Sequence, residues 1–130
     1  SGEIVLDRLL LETIQDQYSN LKITVAVRDV PIINDVTLEE IRETKFPASI
    51  PALSSGNKTP GVILKKANKE FLNVYTAADI ILSKGQGNYE GLSDEADERI
   101  FFLFRAKCTI IARHAGVKEG TMIVKKGGGK

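Results

Sequence analysis

Tryptophan is absent, and cysteine, methionine and histidine occur once each. The single cysteine, Cys108, excludes an internal disulfide and fits a reducing compartment. Charge of one sign is also lacking. A formal net charge of +1 gives no global field to favour nucleic acid or an acidic membrane as partner. No apolar run approaches the roughly 20 residues of a membrane helix, and no signal-peptide pattern opens the chain. Both phosphate fingerprints, G-x-x-x-x-G-K-[ST] and G-x-G-x-x-G, are missing. What remains is 130 residues, 42% hydrophobic and 27% charged, the profile of an ordinary soluble domain, expected in the cytoplasm. Residues 1–124 are expected to form it, with 125–130 as a disordered tail. Ser1-Gly2 resembles a tag scar, and the chain starts directly on a helical pattern, so a piece of a larger protein is expected.

Val5, Leu6, Leu9, Leu10, Thr13 and Ile14 recur at helical steps and predict an amphipathic helix from Glu3 to Gln17. Leu21 to Val27 is β-branched and apolar, a strand by composition. After Pro31, Thr37-Leu38-Glu39-Glu40 reads as a capping box that opens a helix to about Thr44. Phe46 to Pro60 reads as a long loop rich in Pro, Ser and Gly, with Ser54 to Thr59 offering small groups to wrap a ligand. Pro60 is expected to start a helix that continues through Val62, Phe71 and Tyr75. Asp79–Ser83 is a strand that stops at Lys84-Gly85-Gln86-Gly87-Asn88, read as a glycine loop. Ser93 to Glu98 reads as an acidic, solvated turn. Ile100–Phe104 is the most hydrophobic run and the central strand. Thr109–Ala115 follows as a helix stopped by Gly116, and Thr121–Val124 is a last edge strand.

Alternating strands and helices argue an α/β fold of three layers around a mainly parallel sheet with right-handed crossovers. Ligands of such sheets gather beyond the carboxyl ends of the strands. Asp35, Lys84 with Asn88, and Lys107 are therefore expected along one rim. Taken singly, each has a plain alternative. K-G-x-G-N is equally a polar turn, and Asp35 a turn former or helix-dipole partner. Together they describe an anion site with room for a hard cation, which takes oxygen ligands. His114 reads as a surface or helix C-terminal residue rather than part of a triad. Cys108 reads as a buried small hydrophobe rather than a nucleophile.

Four blocks in order, G-E-I-V-L-D-R-L-L-L-E, I-T-V-A-V-R-D-V-P-I-I-N-D-V-T, A-D-I-I-L-S-K-G-Q-G-N-Y-E-G-L and F-F-L-F-R-A-K-C, resemble the metal-dependent damage-control phosphatases, the former domain of unknown function 89. The resemblance runs from Gly2 to about Val124. It implies hydrolysis of phosphate esters of small, damaged metabolites such as sugar phosphates, supported by manganese, cobalt, nickel or magnesium. It implies that Asp35 is a metal ligand and that Lys84, Gly85, Gln86, Gly87 and Asn88 form the substrate-phosphate loop. Lys107 then contacts the phosphate, and Glu3 is a further substrate-side carboxylate.

Two departures stand out. The family's Asp-Asn metal pair, its preceding strand and its helical domain are not in this sequence, so the missing N-terminal portion is an expected partner. Phe104-Arg105-Ala106-Lys107 stands where one branch has R-T-x-K, which favours the microbial-type branch. Two alternatives stay open. One is an S-adenosylmethionine-dependent protein carboxyl methyltransferase, although no glycine-rich first-strand loop is visible. The other is a non-catalytic module that binds a phosphorylated metabolite.

Overall fold

The structure, a computed structural model, describes residues 3–32 and 36–128. In chain order the elements are α1 (Glu3–Gln17), β1 (Val25–Val27), α2 (Leu38–Glu43), β2 (Ala52–Ser54), α3 (Lys69–Ala77), β3 (Ile81–Lys84), α4 (Gln86–Leu92), β4 (Ile100–Arg105), α5 (Thr109–Ala115) and β5 (Met122–Lys126). The fold is α/β, with one parallel and one mixed sheet. The chain divides into two compact units, Ser1–Lys58 with Asn68–Phe71, and Thr59–Ala67 with Leu72–Lys130.

In the first unit β1 and β2 pair in parallel, Val25 opposite Ala52 and Val27 opposite Ser54. Ile4, Val27 and Ile41 form the core, with Val36, Leu38 and Phe46 packed on it. The capping box at Thr37 is present: the Thr37 N–H donates to Glu40 Oε2 at 2.7 Å and holds that carboxyl below its usual range. β2 lies inside the segment expected to be a loop. Only three residues long and flanked by Pro51 and Ser55, it carries too little periodicity to be read from sequence. Ser54 to Asn57 also differ from the expected ligand wrap. Ser55 and Asn57 are buried, and their polar groups bond inward, Ser55 N–H to the Val27 carbonyl at 2.9 Å.

In the second unit β4 is central, parallel to β3 on one side and antiparallel to β5 on the other. The strand expectation for Ile100–Phe104 holds; Ile100, Phe102 and Phe104 are buried. β5 runs on to Lys126, where Phe101 faces Lys126 and Phe102 faces Lys125, so the tail expected from residue 125 begins as strand. The helix expected from Pro60 is not formed. Residues 60–63 are irregular, Leu64–Lys66 make one 3-10 turn, and α3 begins at Lys69, within the first unit's residues 68–71, after Asn68, whose Oδ1 accepts the Phe71 N–H at 2.8 Å. Gly116 ends α5 at φ +74°, the left-handed position glycine fills without strain.

Candidate phosphate edge

β3 and β4 are parallel neighbours in register, Lys84 opposite Leu103, so their carboxyl ends share one edge. Lys84 closes β3 and Lys107 follows β4 by two residues; both are exposed at that edge. The Gly85 N–H donates the last ladder bond to the Leu103 carbonyl at 2.9 Å, and the chain turns there at φ +89°. Among the described residues, and apart from its two chain neighbours, no atom stands within 4 Å of where a Gly85 Cβ would sit.

The expected glycine loop is a helix. α4 starts at Gln86, directly after Gly85 as its N-cap. Two glycines so close together argue against a helix by propensity, yet Gly87 and Gly91 stand one turn apart for a packing reason. A Cβ on Gly87 would fall on the Pro60 carbonyl, one on Gly91 on the Val62 carbonyl, and one on Gly61 on the Gly87 carbonyl. The backbone of residues 60–62 therefore lies directly against α4. The opposite side of α4 is anchored by Tyr89, 2% exposed, which stacks on Phe104 at 4.3 Å and meets Phe102 edge-on at 5.1 Å.

Side-chain amides complete the edge. Gln86 Oε1 accepts the Lys107 N–H at 2.7 Å, and Gln86 Nε2 donates to Glu90 Oε1 at 2.7 Å and lies 3.7 Å from Cys108 Sγ. Asn88 Nδ2 donates to the Lys84 carbonyl at 2.8 Å, and its Oδ1 accepts the Val62 N–H at 3.0 Å. Lys84, Gly85, Gln86, Gly87, Asn88 and Lys107 are thus brought together. Glu3 is exposed on the first turn of α1, in the other unit. Asp35 lies outside the described residues.

Two expectations about side residues change. His114 is not only a surface residue: its Nδ1 stands 3.0 Å from the Tyr89 hydroxyl, so it helps hold the ring that seats α4. Cys108 is half-buried beside Gln86 rather than buried. Sequence reading missed Tyr89, whose aromatic neighbours lie in a strand 13 and more positions away. Among the described residues, no group of three or more His, Cys, Asp or Glu side chains is placed to hold a metal ion. The described residues also contain no helix long and apolar enough to cross a membrane.

Similar proteins carry the same arrangement of sequence. Residues 1–123 match the model of the damage-control phosphatase ARMT1-like domain. A damage-control phosphatase of Pyrococcus horikoshii is 39% identical over 122 residues, which cover 94% of this chain and 42% of that protein. A damage-control phosphatase of Archaeoglobus fulgidus is 37% identical over 126 residues, 96% of this chain and 43% of that one. The crystal structure of a domain-of-unknown-function-89 family protein from P. horikoshii superposes with a TM-score of 0.91 at 38% identity, covering 96% of this chain and 44% of that chain. The chain therefore spans less than half the length of these relatives. By sequence and by fold, it belongs to the damage-control phosphatase ARMT1-like domain family.

Proposed function

We propose that this chain supplies the phosphate-handling part of a phosphatase that hydrolyses phosphate esters of small metabolites, damaged sugar phosphates among them. The observation that carries the reading is the shared edge of β3 and β4, with Lys84 at the end of one strand and Lys107 just past the end of the other, both exposed and both tied through their backbone to α4 amides. Two ammonium groups at one edge neutralise the charge of a phosphoryl group and favour its transfer state, where that charge is spread over the oxygens. Gly85 lets the phosphate approach the backbone without a side chain between.

The described residues do not by themselves make a metal site. Asp35 is proposed as one oxygen ligand of a divalent ion, manganese, cobalt, nickel or magnesium, and Glu3 as a substrate-side carboxylate. When bound, such an ion would polarise phosphoryl oxygen and acidify its water.

The test uses the full-length protein that contains this chain, p-nitrophenyl phosphate and manganese. Asp35→Ala is expected to abolish metal-supported turnover, and undiminished turnover would remove the metal role. Lys84→Ala and Lys107→Ala are each expected to lower kcat/KM on the order of a hundredfold, the scale of losing one charge-stabilising donor. Binding of phosphate with no hydrolysis at any metal concentration would instead identify a non-catalytic binding module.

A further inference from the structure

The geometry points to Gln86 and Asn88 as positioning residues that tie down the backbone from which the Lys84 and Lys107 side chains start. The inference rests on the phosphate reading of this edge and assigns its two amides a different task.

A side-chain amide has one acceptor oxygen and two N–H donors. In both residues each end of the amide is already engaged. Gln86 grips the Lys107 backbone with its oxygen and is braced from behind by Glu90, one helical turn on. Asn88 grips the Lys84 carbonyl with its nitrogen and the Val62 N–H with its oxygen. Through these bonds, at 2.7–3.0 Å, each amide holds a backbone group in place. Held in place, they do something a direct contact does not. A lysine stem is four flexible carbons long, so the position of its ammonium depends on where its backbone starts. α4 carries both amides on one rigid turn and ties down the starting points of both stems, one on β3 and one beyond β4. Tyr89, packed on Phe102 and Phe104, fixes that turn to β4.

The experiment combines amide hydrogen exchange at Lys107, inorganic phosphate titration and p-nitrophenyl phosphate kinetics on the full chain and on Gln86→Ala and Gln86→Glu. In Gln86→Ala the Lys107 amide is expected to exchange about tenfold faster or more. Phosphate affinity is expected to fall and KM to rise on the order of tenfold, as for a misplaced binding group. Gln86→Glu keeps an acceptor for the Lys107 N–H and is expected to restore the slow exchange and most of the affinity. A merely structural role would lower thermal stability in both variants without this split. Should Gln86→Ala fail to fold, Gln86→Met, equal in length and without the polar end, is read in the same way.

Unchanged exchange at Lys107 in Gln86→Ala overturns the inference. So does faster exchange with phosphate affinity and KM unchanged. If the unaltered chain binds phosphate but hydrolyses nothing, only the phosphatase reading fails, and exchange with affinity still decides the role of Gln86. If the unaltered chain binds no phosphate, both readings fall.

Discussion

Ser83, beside Lys84, is 5% exposed, and its hydroxyl has no hydrogen-bond partner among the described residues. A buried hydroxyl left unpaired costs about 1–3 kcal/mol of desolvation. Ser83→Ala removes that group with almost no change of volume. The expected result is a gain of about 1 kcal/mol in urea unfolding, the lower end of that range. A loss of the same size would mean that the hydroxyl has a partner in solution. Gly87 presents the opposite case. In an open helix Ala is favoured over Gly by about 1 kcal/mol, but here the added Cβ meets the Pro60 carbonyl. Backbone atoms move less easily than a flexible side chain, so Gly87→Ala is expected to cost about 1–3 kcal/mol. A neutral or stabilising substitution would show that residues 60–62 do not lie against α4.

At the scale of elements, the C-terminal end of α3 is held by one guanidinium. Arg99 donates to the carbonyls of Tyr75, Thr76 and Ala78 at 3.2, 3.0 and 2.8 Å, groups a helix end leaves without partners. Asp97 fixes Arg99 in turn, at 3.0 and 2.7 Å, and accepts the Tyr75 hydroxyl at 3.2 Å. The hydrogen bonds from Arg99 lower the Asp97 carboxyl from 3.8 to about 2, and burial with the nearby Asp97 charge pushes Tyr75 from 10.0 up to about 12. The Asp97 contribution is therefore complete above pH 3.8 and lost as pH falls through about 2. The Tyr75 contribution is complete below pH 10 and lost as pH rises through about 12. Thermal midpoints are expected to fall in both windows, with Asp97→Asn flattening the acid limb. An unaltered acid limb in that variant would remove Asp97 from the account.

This network also marks where sequence reading stops. Ser93 to Glu98 is acidic and reads as solvated, and nothing local says that Asp97 faces a tyrosine 22 positions earlier. α1, α5 and the box at Thr37 were legible because their signals are local: periodicity, a capping pair, a terminal glycine. The helical state of residues 86–92 was not, because its glycines answer to a backbone 27 and 29 positions away. The candidate site divides on the same line. That Lys84 and Lys107 follow strands of one sheet and share a rim was legible from pattern, whereas the adjacency of those strands and the grip of Gln86 on Lys107, across 21 positions, exist only once the sheet has formed.

At the scale of the molecule, apolar side chains divide between the buried cores and an outward-facing set, and α1 carries both. Its period predicts a helix with Val5, Leu6, Leu9 and Leu10 on one stripe, and the obvious reading buries that stripe. The structure buries Ile4 instead, at 5% exposure, on the side where Arg8 reaches the Thr44 carbonyl at 2.7 Å. Val5, Leu6, Leu9 and Leu10 remain 50, 67, 54 and 44% exposed. Periodicity gives the helix but not which stripe faces the core, because Asp7, Arg8 and Gln15 can pack through their stems or bond to backbone and neighbours. The two stripes therefore contribute unequally to the stability of this chain. Leu6→Gln and Leu9→Gln remove side chains already in water, and each is expected to change urea unfolding by no more than about 0.5 kcal/mol. Ile4→Ala opens a cavity beside Val27 and Ile41 and is expected to cost about 2–4 kcal/mol. If the leucine variants lose as much as Ile4→Ala does, α1 is turned the other way in solution, and the first unit is built around the opposite face of its own first helix.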